Sequence, residues 1–371
     1  MSAYGGFGGF GGFGGFGGFG GFGGFGNFTG LGGFLGAGDT GSYDAFTVAG
    51  LLTTSEALEH LAGSGPAPVS AEIPANDPAN MARWAVWVRG SLYVSEFLRG
   101  LDWQVGNAAG QAGGDVNMVT LKFDGTPMCT LHRPVPQTLQ DQCRHVRNYA
   151  TLREERGAEI ASQLGFPTAY FAMLLGLHGG QHAHTFELIT ATQVAAAHAA
   201  MVVKNALAVR RPDQIDGRVM PMLPTPGHGS FPSAHATESY AVATVLSKLV
   251  EAWGSLADHD ARNRMLFGLA ERIAVNRTVA GVHYPIDSWA GAALGSAVGR
   301  AVLGRCGRNE PMIVPSYAPV DCDFFQYDFA DPARAAACGL THAAAGGSAG
   351  RGDGFSWLWA QAEAERQCVV S

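Results

Sequence analysis

From Pro136 onward, apolar residues recur every three or four positions between Gly and Pro breaks, which is the repeat of an amphipathic helix. That spacing predicts helices over about 137–163, 167–176, 185–210, 235–253, 258–276 and 285–304. The stretch Ala191–Ala208 is Ala-rich and weakly charged, which suits close helix–helix packing in a bundle. Upstream, Asp77-Pro78 reads as a helix start, and Trp84, Trp87 and Leu98 follow at roughly helical spacing. Residues 116–132 instead alternate with a period near two around Asp124-Gly125, which predicts a short hairpin. After Pro311 the pattern is irregular, with aromatic and acidic residues around Asp321–Asp328 and one last helix near Phe355–Gln367. The expected fold class is all-α, a helical bundle with one short β-hairpin.

Composition divides the 371 residues unevenly. Residues 1–41 hold 21 of the 53 glycines and nine of the 21 phenylalanines, with no charged residue before Asp39. Residues 5–25 are seven consecutive Gly-Gly-Phe triplets. Two glycines in three cost too much backbone entropy to order alone, so this tract is expected to be disordered. Spaced aromatics make it a candidate for weak self-association. The expected organisation is therefore the low-complexity tract 1–41, a linker 42–80, an α-helical domain 81–310 and an irregular extension 311–371.

A formal net charge of -7 and a pI near 5.9 argue against a nucleic-acid binder, which needs a basic stripe. The six cysteines are scattered with no C-x-x-C pair, which disfavours a zinc ribbon or a thioredoxin-like motif and leaves open whether they pair. No secretory signal pattern is recognisable at the N-terminus, and no run of about 18 residues is free of charged or strongly polar groups. The expectation is a soluble protein without a membrane span, cytoplasmic rather than exported.

Three segments carry candidate chemistry. Lys204 and Arg211 are seven residues apart in an otherwise apolar stretch, which on a continuous helix places both cations on one face. The Pro/Gly-rich loop from Pro224 through His228 to Pro232-Ser233-Ala234-His235 runs into a helix start, where open N–H groups suit an oxyanion. There Ser233 offers a hydroxyl, though a Ser at that position also serves simply as an N-cap, and His235 is placed to exchange protons. In the third segment Arg277 precedes His283, and Asp287 follows four residues later across Pro285. The carboxylate is then placed to hold one imidazole nitrogen and leave the other as nucleophile or ligand.

In this order the motifs Lys204-x6-Arg211-Pro212, Pro232-Ser233-x-His235 and Arg277-x5-His283-x3-Asp287 resemble the three-part signature of one superfamily. It contains the type 2 phosphatidic acid phosphatases, the bacterial class A acid phosphatases and the vanadium-dependent haloperoxidases. The resemblance spans about residues 185–305, with two departures: Ala234 stands where the family usually has Gly, and Asn276 where it usually has Ser. It implies that Lys204, Arg211 and Arg277 surround an oxyanion, with Ser233 and the N–H of Ala234 completing the cradle. In the phosphatase branch it implies that His283 attacks phosphorus, Asp287 fixes its tautomer and His235 serves the leaving group. In the haloperoxidase branch it implies that the cradle holds vanadate with His283 as axial ligand, and that hydrogen peroxide oxidises halide there.

The haloperoxidase branch is the leading expectation, with a soluble phosphomonoesterase as the alternative. It rests on the absence of a spanning run, on His228 at a position where algal bromoperoxidases carry a second histidine, and on the likeness of Asn276–Gly291 to soluble bacterial haloperoxidase-like proteins. His228 is equally able to cap its own loop. Two rival readings come from other classes. His178, His182 and His184 invite a zinc or copper site, against an ordinary hydrogen-bonded cluster at a helix start. The Gly-Phe tract could also be the working part, but the His-Pro-Asp tripeptide of the J-domain co-chaperones that share such tracts is missing.

Overall fold

The computed structural model describes residues 45–62, 65, 73–107, 116–254, 258–344 and 347–368. Helix α1 (Ala45–Leu58) comes first, then a 3-10 turn at Pro78–Arg83, helix α2 (Val86–Gly100) and strands β1 (Leu101–Gly106), β2 (Met118–Phe123) and β3 (Thr126–His132). The helical body follows as α3 (Pro136–Tyr149), α4 (Arg153–Ser162), α5 (Thr168–Leu175), α6 (Ala183–Leu207), α7 (Ala234–Trp253), α8 (His259–Val279) and α9 (Pro285–Arg305). The chain then adds β4 (Ile313–Tyr317), α10 (Gln326–Ala330), α11 (Pro332–Ala337), β5 (Leu340–Ala344) and α12 (Asp353–Ala364).

Helices α6, α7 and α9 form the centre, and each is apolar on nearly every side because each is surrounded. Small residues set how closely α9 approaches α7. A Cβ on Gly295 would lie 2.2 Å from the Thr237 carbonyl oxygen, and one on Gly291 would lie 2.7 Å from that of Ser233. Only glycine permits this backbone contact, which brings the N-terminal ends of α7 and α9 side by side. Trp253 and Trp289 fill the core around them.

The all-α expectation needs correction, because a five-stranded sheet in the order β1-β2-β3-β4-β5 flanks the bundle. The hairpin at Asp124-Gly125 is present, with both turn residues at positive φ, 49° and 79°. The sheet grows from it by parallel pairing of β3 with β4, Thr130 opposite Ser316 and Leu131 opposite Tyr317. Strands β4 and β5 are five residues long, and β4 contains Pro315, so neither shows a readable alternation. Arg305 of α9 grips Asp124 with two hydrogen bonds of 2.6 and 2.8 Å, fixing the sheet to the bundle.

Other boundaries also move. The single helix expected over 137–163 is divided into α3, a 3-10 turn at Ala150–Leu152 and α4. The segment 42–80 expected as linker contains α1, none of whose residues is buried, while the Gly-Gly-Phe tract lies outside the described residues. The extension after Pro311 is part of the main core, where Tyr317, Phe324, Leu340, Phe355 and Leu358 are buried. Glu365, beyond α12, clamps the start of α6: it accepts from the N–H groups of His184 and Thr185 at 2.7 and 2.9 Å and from the Thr185 hydroxyl at 2.6 Å. The segment Ala183–Gln214, although interrupted by Glu187 and Lys204, is long and apolar enough to cross a membrane by length and composition alone. In this fold 78% of its most apolar window is buried inside the protein, as befits the core helix α6. Cys129, Cys143, Cys306, Cys322 and Cys338 are free thiols.

Candidate active site

The three sequence segments converge where α7 and α9 begin and α6 and α8 end. Helix α6 stops at Leu207, with Ala208 in a left-handed turn (φ 46°), because Pro212 disfavours helical backbone at Arg211. Lys204 and Arg211 therefore do not share a helix face as their spacing suggested. They meet from opposite ends of a turn: Lys204 Nζ donates to the carbonyls of Gly229 and Ser230, both at 2.8 Å, and Arg211 Nε donates to that of His228 at 3.1 Å. Arg277 lies in the last turn of α8 and donates from Nη2 to Ile160 O and Gln163 Oε1, both at 3.2 Å. Its buried Nε has no hydrogen-bond partner among the described residues.

Gly281, at φ 86°, makes the tight turn from α8 into the His283 segment, where Arg153 straps the neighbouring loop through the carbonyls of Val279, Val219 and Met220. Asp287 then sits in the first turn of α9 and faces back. Its Oδ2 accepts from His283 Nδ1 at 2.8 Å, from Ser230 Oγ at 2.5 Å and from the N–H of Tyr284 at 3.1 Å. A carboxylate acceptor fixes the proton of neutral His283 on Nδ1, so Nε2 carries the lone pair. Arg211 Nη1 lies 3.2 Å from that nitrogen.

Ser233 caps α7, accepting from the N–H of Ala236 at 3.4 Å, and its own N–H donates to Asp287 O at 2.9 Å. Ala234 is the first residue of α7, where N–H groups have no helical acceptor. The His235 Nε2 is 2.8 Å from the Gln163 carbonyl oxygen. A carbonyl only accepts, so the proton is on Nε2 and the free base is Nδ1. His228 is half-buried at the edge, its Nδ1 3.2 Å from Arg211 Nη2 and 3.1 Å from Gly229 O.

Burial dominates the electrostatics. It pushes Arg211 and Arg277 down to about 10, and with the help of Arg211 it takes Lys204 well below the ordinary lysine value. His235 falls to about 3 through burial and the nearby Arg277, and His283 falls well below 6.5 through burial and Arg211. Burial raises Asp287 to about 6, opposed by its hydrogen bond from Ser230 and the charge of Lys204. Glu238, buried one turn further along α7 with neither oxygen hydrogen-bonded among the described residues, is pushed well above the usual carboxyl range. Three cations and two imidazoles thus crowd one enclosed space, an arrangement that a bound oxyanion would relieve.

Every site residue expected from the sequence falls within this cluster. Ser230 and Gln163 were missed. Ser230 stands three residues before the motif serine, and Gln163 is on a different element with no motif around it. The histidines that invited a metal reading are held otherwise: His182 Nδ1 accepts from the N–H of His178 at 2.9 Å, and His184 Nδ1 lies 3.0 Å from Glu365. Among the described residues no group of three His, Cys, Asp or Glu side chains is arranged to hold a metal ion.

Residues 186–309 match the model of the PAP2 superfamily, so this part of the chain is a PAP2 superfamily domain. Over 107 residues the chain is 34% identical to decaprenylphosphoryl-5-phosphoribose phosphatase of Mycobacterium tuberculosis, in the strains CDC 1551/Oshkosh and ATCC 25618/H37Rv. That stretch is 29% of this chain and 53% of the relative, so the chain spans about half the length of the curated relatives it matches. These likenesses favour the phosphatase alternative over the haloperoxidase that the sequence put first.

Proposed function

We propose that this domain is a phosphatase that hydrolyses a phosphate monoester through a phosphohistidine at His283. The observation that carries the reading is the pairing of His283 Nε2, unprotonated because Asp287 holds the proton on Nδ1, with Arg211 3.2 Å away and two further buried cations around it. In the first step Nε2 attacks phosphorus, an N–P bond forms, and the P–O bond to the leaving group breaks. His235 gives the departing oxygen its proton. In the second step His235 Nδ1 takes a proton from water, whose oxygen attacks phosphorus and releases inorganic phosphate and His283.

Burial and Arg277 keep His235 neutral near pH 7, so it must gain a proton before it acts as an acid. A bound phosphate dianion offsets the neighbouring cations and raises its affinity for that proton. Lys204, Arg211 and Arg277 would face the equatorial oxygens, with the Ser233 hydroxyl and the Ala234 N–H beside them. Charge that builds there in the transition state meets donors already in place. Ala234 adds a methyl group where the family usually has glycine. The same residues suit vanadate, with His283 Nε2 as the ligand nitrogen, which would supply peroxide activation. His228 at the edge of the cradle favours this second reading.

A paired assay separates the two. Hydrolysis of an aryl phosphate that orthovanadate inhibits is the expected result. Vanadate-dependent bromination with hydrogen peroxide, and no hydrolysis, would overturn the phosphatase reading.

A further inference from the structure

Gln163 lies at the C-terminal end of α4, outside all three motifs, yet it touches two of the site's working groups at once. It is completely buried. Its main-chain oxygen is free to accept because helix α4 has ended, and it takes the hydrogen bond from His235 Nε2 at 2.8 Å. Its side-chain Oε1 accepts from Arg277 Nη2 at 3.2 Å and from Asn276 Nδ2 at 3.0 Å, while its Nε2 donates to Glu159 Oε1 at 3.2 Å. Glu159 is itself fixed by Asn276 at 2.8 Å and by Arg272 at 2.8 Å.

We infer that Gln163 is a positioning residue that couples the proton-transfer group His235 to the oxyanion cation Arg277. The inference rests on the roles given to those two residues in the phosphatase reading. The residue type matters because an amide oxygen orients a guanidinium without cancelling its charge. With Nη2 held by Ile160 and Gln163, the unpartnered Nε of Arg277 is left for the anion. A carboxylate in the same place would also orient Arg277 but would neutralise it, and the cradle would lose one of its three cations. The same residue sets the tautomer of His235 through its carbonyl, so any shift of α4 would move the acid–base group and the cation together. Asn276 fits this arrangement, because its amide reaches both Glu159 and Gln163, a span that the serine usual in the family is too short to bridge.

Calorimetric titration of the full chain with inorganic phosphate tests the inference without using turnover. At about pH 8, where a carboxyl beside Arg277 is ionised, Gln163→Glu is expected to weaken phosphate binding about a hundredfold. Gln163→Leu, which leaves the charge but removes the acceptor, is expected to weaken it about tenfold. A residue that only filled space would give the opposite order, with the near-isosteric Gln163→Glu binding as wild type. That result, at an unchanged thermal midpoint, would overturn the inference. Glu159, Arg272 and His235 also face the position, so Glu159→Gln combined with Gln163→Glu is the control for repulsion between the two carboxyls, and it should leave the loss in place. Should a variant fail to fold, the 15N spectrum of the wild-type imidazoles decides: the proton of His235 is expected on Nε2, and finding it on Nδ1 rejects the arrangement. A wild type that binds phosphate but turns over no phosphate ester would count against the phosphatase reading and leave this result standing.

Discussion

The two histidines of the site are seated in contrasting ways. His283 is held within one short segment, by Asp287 four residues away, with Tyr284 and Ser230 adding hydrogen bonds to the same carboxylate oxygen. His235 is held across the fold, by a main-chain carbonyl of α4 that depends on Gln163, Asn276 and Glu159 for its place. The first seat is local and charged, and suits a nitrogen that must keep its lone pair. The second is neutral, and suits a nitrogen that must gain and lose a proton. Asp287 alone would favour a charged His283, but burial and the Arg211 cation oppose it and keep the Nε2 lone pair, whereas the carbonyl fixes the His235 tautomer without favouring the charged form as strongly.

Substitutions can break this contrast, and the largest effect belongs to the local seat. His283→Ala should lower turnover of an aryl phosphate by about 10⁴-fold or more, since no other group forms the covalent intermediate. Retention of wild-type turnover would sink the proposed chemistry. In kcat/KM, which reports formation of the phosphohistidine alone, His235→Asn should cost about 10³-fold with an alkyl phosphate but only about tenfold with 4-nitrophenyl phosphate, whose leaving group needs no proton. Equal losses on both substrates would remove the acid role from His235.

Smaller effects probe the scaffold that both seats share. Gly295→Ala should cost about 2–3 kcal/mol in denaturant unfolding, because the new methyl meets the Thr237 carbonyl and pushes α9 off α7. A wild-type midpoint would mean that the helices are looser than the structure has them. The pH response sharpens the contrast further. His235 lies at about 3 folded against an ordinary 6.5, so the unfolded chain binds its proton first. Its contribution to stability is complete above pH 6.5 and drains by about 1.4 kcal/mol per pH unit as acid is added. Asp287, raised to about 6 from 3.8, works in the other direction: its contribution is present below 3.8 and lost as the pH rises through about 6. Subtracting the stability curve of His235→Asn from that of the wild type isolates the histidine, and parallel curves would exclude it. The mildest change, Asn276→Ser, should cost about 1 kcal/mol for the lost amide bonds, with turnover reduced less than in His235→Asn.

What the sequence made legible follows the same division. Residues 204–287 carry motifs whose spacing survives because turns and helix starts act over a few positions, so the residues singled out there lie together in the candidate site. The reason given for Lys204 and Arg211 was nonetheless wrong: helix periodicity put them on one face, whereas Pro212 ends the helix and a left-handed turn at Ala208 brings them together. The bundle was readable from the three- to four-residue repeat. The sheet beyond its hairpin was not, since β3 and β4 pair across almost two hundred residues and no local pattern records a partner at that distance. Gln163 escaped for the same reason, because its working atom toward His235 is a backbone oxygen, which any residue type would supply.

The clamp of Glu365 on the start of α6 has a consequence in time. The helix that delivers Lys204 receives this cap from a side chain 181 residues further along the chain than His184. At about 5–20 residues per second, a ribosome takes roughly ten to thirty-five seconds to supply it. For that interval the first N–H groups of the nascent α6 are without the cap that Glu365 supplies.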